Sequence, residues 1–174
     1  MRKRIKPIVV YVVLALLGLA LVPIIDLSGW QLPQDIDYDV LSNHISGAII
    51  RVFGGSQISK DSNAASSNGV DKSFKTHIKE LKKRDVPVAV YSYAQGTSVK
   101  EMKEEARIFY KNASPYKPTY YWIDVEEETM SNMEQGVQAF LAELKRLGAE
   151  KVGLYIGAYF MLEQEVSTRN FDAV

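Results

Sequence analysis

The sequence predicts an α/β fold in which parallel strands alternate with helices. Short, nearly continuous apolar segments, typical of strands buried on both faces, recur along the chain, and helical periodicity follows most of them. Acidic and aromatic side chains collect where these strands end, as in a (β/α) barrel. A doubly wound sheet is the alternative, but the turn after the first strand, LSGWQLP, lacks a glycine-rich phosphate-binding pattern. We therefore predict a TIM-like (β/α) barrel.

The first half of the chain supplies three predicted strands, residues 22–26, 47–53 and 86–93. A glycine- and proline-containing turn follows the first strand and leads to a short helical stretch at residues 38–43. Residues 54–70 form a loop too long to be a simple connector. The helix predicted for residues 71–84 begins at a plausible N-cap, Asp71, and has an apolar stripe of Phe74, Ile78 and Leu81.

The second half continues the alternation. The helix at residues 98–112 has an inner stripe of Met102, Ala106 and Phe109, and a strand follows at residues 119–126. The helix at residues 131–147 turns Val137, Phe140, Leu141 and Leu144 towards the core and ends at Gly148. The remaining predicted elements are a strand at 151–156, a short helix at 158–164 and a sixth strand beginning at 171–174.

Composition limits the possible functions. The chain has 174 residues, enough for one domain with a sizeable core. Four of its 21 basic side chains lie in the first 20 residues, which have no acid, so the remainder has 17 bases against 21 acids and is a poor nucleic-acid binder. The absence of cysteine excludes thiol nucleophiles and zinc-thiolate sites. His44 and His77, the only histidines, are expected on the solvated surface, so we expect no metal site and no cofactor.

Residues 1–20 have the pattern of a signal peptide or a membrane anchor. Basic side chains precede an apolar run, residues 7–25, that could just cross a bilayer as a hydrophobic helix. The same run contains the first predicted strand, residues 22–26. We resolve the conflict by ending the helix near residues 18–20, whose small side chains resemble a signal peptidase site. Residues 21–174 would then form a domain outside the cytoplasm, secreted or held at the membrane.

The strand at residues 119–126 is unusual because it ends in carboxylates. Side chains alternate along a strand, so Trp122, Asp124 and Glu126 share one face. Two residues of strand span roughly 6.6 Å, which lets the two carboxyl groups converge on one substrate bond. Such an arrangement favours carboxylate chemistry, although a strand that runs into a solvated acidic loop is the alternative.

Six segments, in this order and spacing, resemble the glycoside hydrolase family 25 lysozymes, the N-acetylmuramidases of bacteria and their phages. The segments are DLSGWQ (26–31), IDYDVL (36–41), GAIIRVFGG (47–55), DKSF (71–74), VPVAVYSYA (86–94) and YWIDVE (121–126). The resemblance implies an irregular (β/α) barrel and cleavage of the β-1,4 bond between N-acetylmuramic acid and N-acetylglucosamine. It also implies peptidoglycan as the partner, a bacteriolytic activity, and an extracellular or cell-surface location in a bacterium.

The resemblance places the catalytic cluster at Asp26, Asp124 and Glu126. We predict Glu126 as the general acid, and then the base, because neighbouring acids favour its protonated form. Asp124 would orient the N-acetyl group as an internal nucleophile or stabilise the cationic sugar, and Asp26 would tune the pair electrostatically. Glu127 and Glu128 are interpreted as loop surface.

Aromatic residues at the strand ends are predicted to bind sugar rings. Tyr93, Trp122 and Tyr155 offer flat apolar faces with polar tips, although core filling explains Trp122 equally well. Asp71 resembles a family position near the cleft, but a helix N-cap explains it as well. Arg51 is expected to pair with a buried acid.

The number of predicted strands leaves other functions open. The predicted elements amount to about five strand-helix units and a sixth strand, whereas the family barrel continues through further strands; the chain resembles a truncated member. We therefore expect the 174-residue chain to be at best poorly active and marginally folded. The alternatives are an inactive remnant or a glycan-binding module with the same cleft, and a deacetylase-like enzyme, which would require histidine and aspartate metal ligands.

Overall fold

The computed structural model describes residues 23–54, 64–66 and 68–174, which form an α/β fold around a five-stranded sheet. The strands are β1 (Ile24–Leu27), β2 (Gly47–Phe53), β3 (Val88–Tyr93), β4 (Tyr121–Val125) and β5 (Val152–Ile156). They lie side by side in chain order, and every neighbouring pair is parallel. This order is that of a (β/α) barrel, because a doubly wound sheet reverses its strand order.

Five helices accompany the strands in the described ranges: α1 (Tyr38–Ser42), α2 (Phe74–Lys82), α3 (Val99–Ala113), α4 (Met133–Leu147) and α5 (Ala158–Glu163). The predicted boundaries lie within three residues of these, and several coincide with them. The largest difference is at α2, which begins at Phe74 rather than at Asp71, because the Asp71 carboxylate accepts hydrogen bonds from the amides of Ser73 and Phe74 and holds the preceding turn.

One face of the sheet packs against the helices. The predicted apolar stripes of α2, α3 and α4 are all buried there, which confirms the helical periodicity read from the sequence. In β4, Tyr121, Ile123 and Val125 are buried on this side, as the predicted alternation requires. Gly148 has φ of 105°, so it ends α4 in the left-handed conformation that glycine favours. The core therefore lies between the sheet and its helices.

The prediction that both histidines lie on the solvated surface is confirmed for His44 and wrong for His77. His77 has no exposed surface, and its Nδ1 lies 2.6 Å from the hydroxyl of Tyr38. Its Nε2 lies 3.2 Å from the carbonyl oxygen of Ser28, to which it donates. Burial lowers the pKa of His77, so the ring is neutral. Both ring nitrogens of His77 have hydrogen-bond partners from residues far away in the sequence. This explains why a histidine in a polar helical segment is buried.

The structure covers only part of what was predicted for the two ends of the chain. The predicted signal or anchor segment, residues 1–20, lies outside the described residues. None of the helices in the part that the structure describes is long and apolar enough to cross a membrane. Where the sixth strand was expected, Ala173 makes a single parallel bridge with Gly153. Among the described strands, β1 and β5 are therefore the edges of an open sheet, and the predicted barrel closure is not formed by them.

Candidate active site

The strands surround a cavity of about 360 Å³ on the face of the sheet that the helices leave uncovered. A cavity of this size suits a small ligand or one unit of a polymer. Strand alternation explains its composition, because each lining residue on a strand has a buried, helix-facing neighbour. The lining residues are Asp26, Ile49, Tyr91, Trp122, Asp124, Glu126 and Tyr155.

Parallel pairing brings the acids and aromatic rings together. Asp26 is in register with Ile49, and Tyr91 with Trp122. Asp124 is in register with Tyr155 on the next strand. The three predicted acids, Asp26, Asp124 and Glu126, thus line one cavity although 98 or more residues separate the first from the other two in the sequence.

Asp124 is the most buried of these acids. It is 9% exposed, and its Oδ1 has no hydrogen-bond partner among the described residues. Burial raises its pKa to about 7; the charges of Glu126 and Asp26 act in the same direction, and the charge of Arg51 opposes them. Buried carboxyl groups without a partner are costly and cluster at functional sites. Asp124 is therefore an unsatisfied carboxyl group in the wall of the cavity.

Asp26 lies at the open side of the cavity and is exposed to solvent. Its surroundings are still close enough that partial burial raises its pKa, whereas a hydrogen bond from Tyr91 and the charge of Arg51 lower it in part. Burial also raises the pKa of the Tyr91 hydroxyl, which therefore stays protonated and donates. Tyr91 was not among the site residues predicted from the sequence. Its position two residues before Tyr93 could have indicated it, because the two residues share a strand face.

The predicted sugar-binding aromatics separate into two groups. Trp122 and Tyr155 line the cavity, and Tyr155 is 58% exposed. The Trp122 ring stacks on Tyr120, with 5.7 Å between ring centroids, and lies against Gly153. Tyr93 is not among the lining residues; its hydroxyl donates to Glu127 Oε1 over 2.7 Å.

Asp71 lies beneath the site rather than in the cavity. Its side chain is fully buried and accepts hydrogen bonds from Arg51 Nη2 over 3.1 Å and from the amide of Gly29 over 2.6 Å. With the two bonds to the start of α2, this explains Asp71 as a cap and an ion-pair partner, the alternative to substrate binding. The prediction that Arg51 pairs with a buried acid is confirmed. The pair holds the loop after β1 beside the cavity.

No group of three or more possible metal ligands occurs in the described ranges of the chain. The chemistry available is that of carboxyl groups in an aromatic-walled, half-open cavity. One acid holds a proton near neutral pH and others face solvent, an arrangement that suits acid-base cleavage of a glycosidic bond. The fold and the site together form a cluster of carboxyl groups in an aromatic-walled cavity on a parallel (β/α) scaffold.

The model of glycosyl hydrolases family 25 matches residues 25–173, and the chain belongs to this family. Among solved structures, the chain is similar to the virulence factor GHIP of Streptococcus pneumoniae, a glycosyl hydrolase 25 participating in host cell invasion. The identity is 56% and the TM-score 0.83 over 86% of this chain. The match covers 65% of that protein, so the chain spans just under two thirds of its length.

Two more distant structures share the fold. The catalytic domain of endolysin ply40, from bacteriophage P40 of Listeria monocytogenes, is 24% identical with a TM-score of 0.68, over 83% of this chain and 68% of that one. The autolysin LytC of S. pneumoniae, solved with a synthetic peptidoglycan ligand, is 19% identical with a TM-score of 0.61, over 80% of this chain and 33% of that one. Among curated proteins, none matches the chain significantly.

Proposed function

We propose that this chain carries the catalytic centre of a peptidoglycan hydrolase that cleaves the β-1,4 bond between N-acetylmuramic acid and N-acetylglucosamine. Membership of glycosyl hydrolases family 25 supports the reaction class. The observation that carries the proposal is Asp124, a buried carboxyl with a free oxygen, beside two further acids in an aromatic-walled cavity. We also propose that residues 21–174 belong to an irregular (β/α) barrel that acts on the cell wall outside the cytoplasm.

The three acids have different proposed roles. Glu126, exposed at the cavity mouth, protonates the leaving oxygen and then activates water. Asp124 lies deeper, where its carboxyl group lines the cavity and can accept the N–H of an N-acetyl group and direct the acetyl oxygen towards the anomeric carbon. Asp26 adjusts the charge at this centre. Trp122 and Tyr155 provide the wall on which a sugar ring packs.

The raised pKa of Asp124 supports a competing assignment in which Asp124, rather than Glu126, holds the donated proton. Substrates with different leaving groups distinguish the assignment of the general acid to Glu126 from its assignment to Asp124. An aryl glycoside with an acidic phenol needs little protonation of its leaving oxygen, so loss of the general acid should spare this substrate and abolish cleavage of a glycan.

The test compares Glu126→Gln and Asp124→Asn on both substrates. We expect Glu126→Gln to lose at least about a hundredfold in release of reducing ends from purified cell wall, and far less on the aryl glycoside. Long incubations are needed because an open sheet is expected to limit the rate. Retention of most wall-cleaving activity by Glu126→Gln would contradict its role as the acid.

A glycan-binding module with the same cleft is the second candidate, because Trp122 and Tyr155 could hold a sugar ring at the cavity without any cleavage. Sedimentation of the wild-type chain with cell walls, without release of reducing ends, would favour this candidate over the hydrolase.

A further inference from the structure

Three consecutive glutamates follow β4, and their side chains take different directions. Glu126 lines the cavity. Glu127 Oε1 accepts a hydrogen bond from the hydroxyl of Tyr93 at 2.7 Å. Glu128 Oε2 lies 3.3 Å from Nε2 of Gln164, just beyond α5. All three glutamates are exposed, but their side chains meet different neighbours.

Tyr93 is a fixed anchor for Glu127. It is in register with Asp124 at the end of β3, and the next residue, Ala94, donates its amide to the carbonyl oxygen of Asp124 over 2.9 Å. Gly54 packs so closely that a Cβ there would lie 2.0 Å from the carbonyl oxygen of Tyr93. Burial and the neighbouring acid Glu127 raise the pKa of the Tyr93 hydroxyl, so the hydroxyl remains a donor.

A second bond ties the same loop to the loop after β3. The hydroxyl of Thr129 donates to the carbonyl oxygen of Gly96 over 2.8 Å. Gly96 itself is packed against α3, where an added Cβ would lie 2.7 Å from the amide nitrogen of Met102. Glu105, a buried residue of α3, accepts the amide of Gln95 over 3.1 Å. The loop after β4 is thus held at positions one and three residues beyond Glu126.

We propose that Glu127 is a positioning residue whose bond to the Tyr93 hydroxyl fixes the loop so that Glu126 points into the cavity. The bond draws Glu127 towards β3 immediately after Glu126, which limits the backbone rotations available to Glu126. The inference rests on the proposed function, because it assigns Glu126 to the reaction. It assigns a positioning role to the Tyr93 hydroxyl and to Glu127, which is exposed in the loop as the sequence predicts.

The variant Tyr93→Phe tests the hydroxyl, since the ring is kept. We expect kcat on cell-wall glycan to fall about five- to tenfold, with KM changed by less than about twofold. A stacking role would leave kcat intact, because phenylalanine offers the same face. The matched control is Tyr159→Phe, at a tyrosine that is 91% exposed. Wild-type kcat in Tyr93→Phe would overturn the proposal.

Substitutions at Glu127 separate hydrogen bonding from charge. Glu127→Gln keeps an oxygen that accepts the bond and should retain kcat within about twofold of wild type, whereas Glu127→Ala should lose as much as Tyr93→Phe. The double variant Tyr93→Phe with Glu127→Ala should be no worse than either single variant, because both remove one interaction. Multiplied losses in the double variant would show that the two residues act separately and would overturn the proposal.

Amide hydrogen exchange gives a readout that needs no activity. In Tyr93→Phe, exchange of residues 126–132 should accelerate by about fivefold or more, while the amides of β3 stay as protected as in wild type. If the wild-type chain fails to hydrolyse glycan, the proposed function is wrong. The hydrogen-exchange measurement then shows by itself whether the bond between Tyr93 and Glu127 holds the loop. Unchanged exchange overturns the proposal in either case, and so does faster exchange with wild-type kcat in an active protein.

Discussion

At the level of single residues, Asp124 combines burial with a missing partner. Burial favours the protonated form of such a carboxyl group and raises the pKa of Asp124 to about 7. Arg51 opposes the shift but is itself paired with Asp71, so it neutralises the site only in part. The fold thus keeps the Asp124 carboxyl buried without a partner, at a cost in stability, at a place where a ligand would supply the missing hydrogen bond.

Replacing Asp124 by asparagine should stabilise the protein at neutral and higher pH. The folded-state pKa lies above the ordinary value of 3.8, so stability from this group is full at low pH and is lost as pH rises through about 7. Asparagine stays neutral, so Asp124→Asn should gain about 1–3 kcal/mol in free energy of unfolding near pH 8, and less near pH 4.5.

Urea unfolding at the two pH values measures this difference. The control is Asp35→Asn, at an exposed aspartate, which should change stability little at either pH. An Asp124→Asn variant less stable than wild type near pH 8 would show that the carboxylate has a stabilising partner.

At the level of elements, β4 and β5 jointly shape the cavity wall. Gly153 of β5 lies beneath the Trp122 ring, and a Cβ at this position would lie 2.5 Å from the indole. The close approach explains a glycine in the middle of a strand, where it otherwise weakens the structure.

The variant Gly153→Ala should therefore push the indole into the cavity and weaken binding of glycan fragments about tenfold, without altering the three acids. Calorimetric titration with a soluble muropeptide oligomer measures this loss. Gly157→Ala is the matched control, because an added Cβ there meets its nearest neighbour only at 3.9 Å. Equal affinities of the two variants would contradict a role of the Trp122 wall in binding.

The local hydrophobic pattern predicted most helices and strands. The side chains whose surroundings it did not predict are those that contact residues far away in the sequence. Alternation in β4 correctly placed Trp122 and Asp124 on the opposite face of the strand from Ile123, which packs in the core. The burial of His77 was not predictable, because its partner Ser28 is 49 residues away in the sequence. The hydrogen bond from the Tyr93 hydroxyl to Glu127 was not predictable for the same reason, since 34 residues separate the two in the sequence. Periodicity identifies which face a side chain occupies, not which atom it meets.

At the level of the whole molecule, the helices cover one face of an open sheet. On the other face and at the edges, Ile24 and Tyr155 are 64% and 58% exposed. Sheets in closed barrels have no such edges and bury these positions. These exposed apolar positions are expected to lower the stability of the described sheet.

We expect this chain to unfold at a low temperature, below about 45 °C, in a broad transition. The physical reason is that β1 and β5 are unpaired edges among the described strands and leave Ile24 and Tyr155 exposed. Calorimetry of the purified chain measures the transition, with light scattering as a control for aggregation through the edges of β1 and β5. A sharp, reversible transition near 60 °C, together with clearing of a cell-wall suspension, would contradict this expectation.

The Trp122 wall also gives the molecule a built-in optical reporter. The chain has two tryptophans, and Trp30 is 58% exposed, whereas Trp122 is half-buried at the cavity. A sugar seated on the Trp122 ring would shield that indole from water and from a dissolved quencher. The ring's stacking on Tyr120 also places it close enough to receive excitation energy from the tyrosine. Intrinsic fluorescence can thus follow occupancy of the cavity without a label, even in variants that no longer turn over.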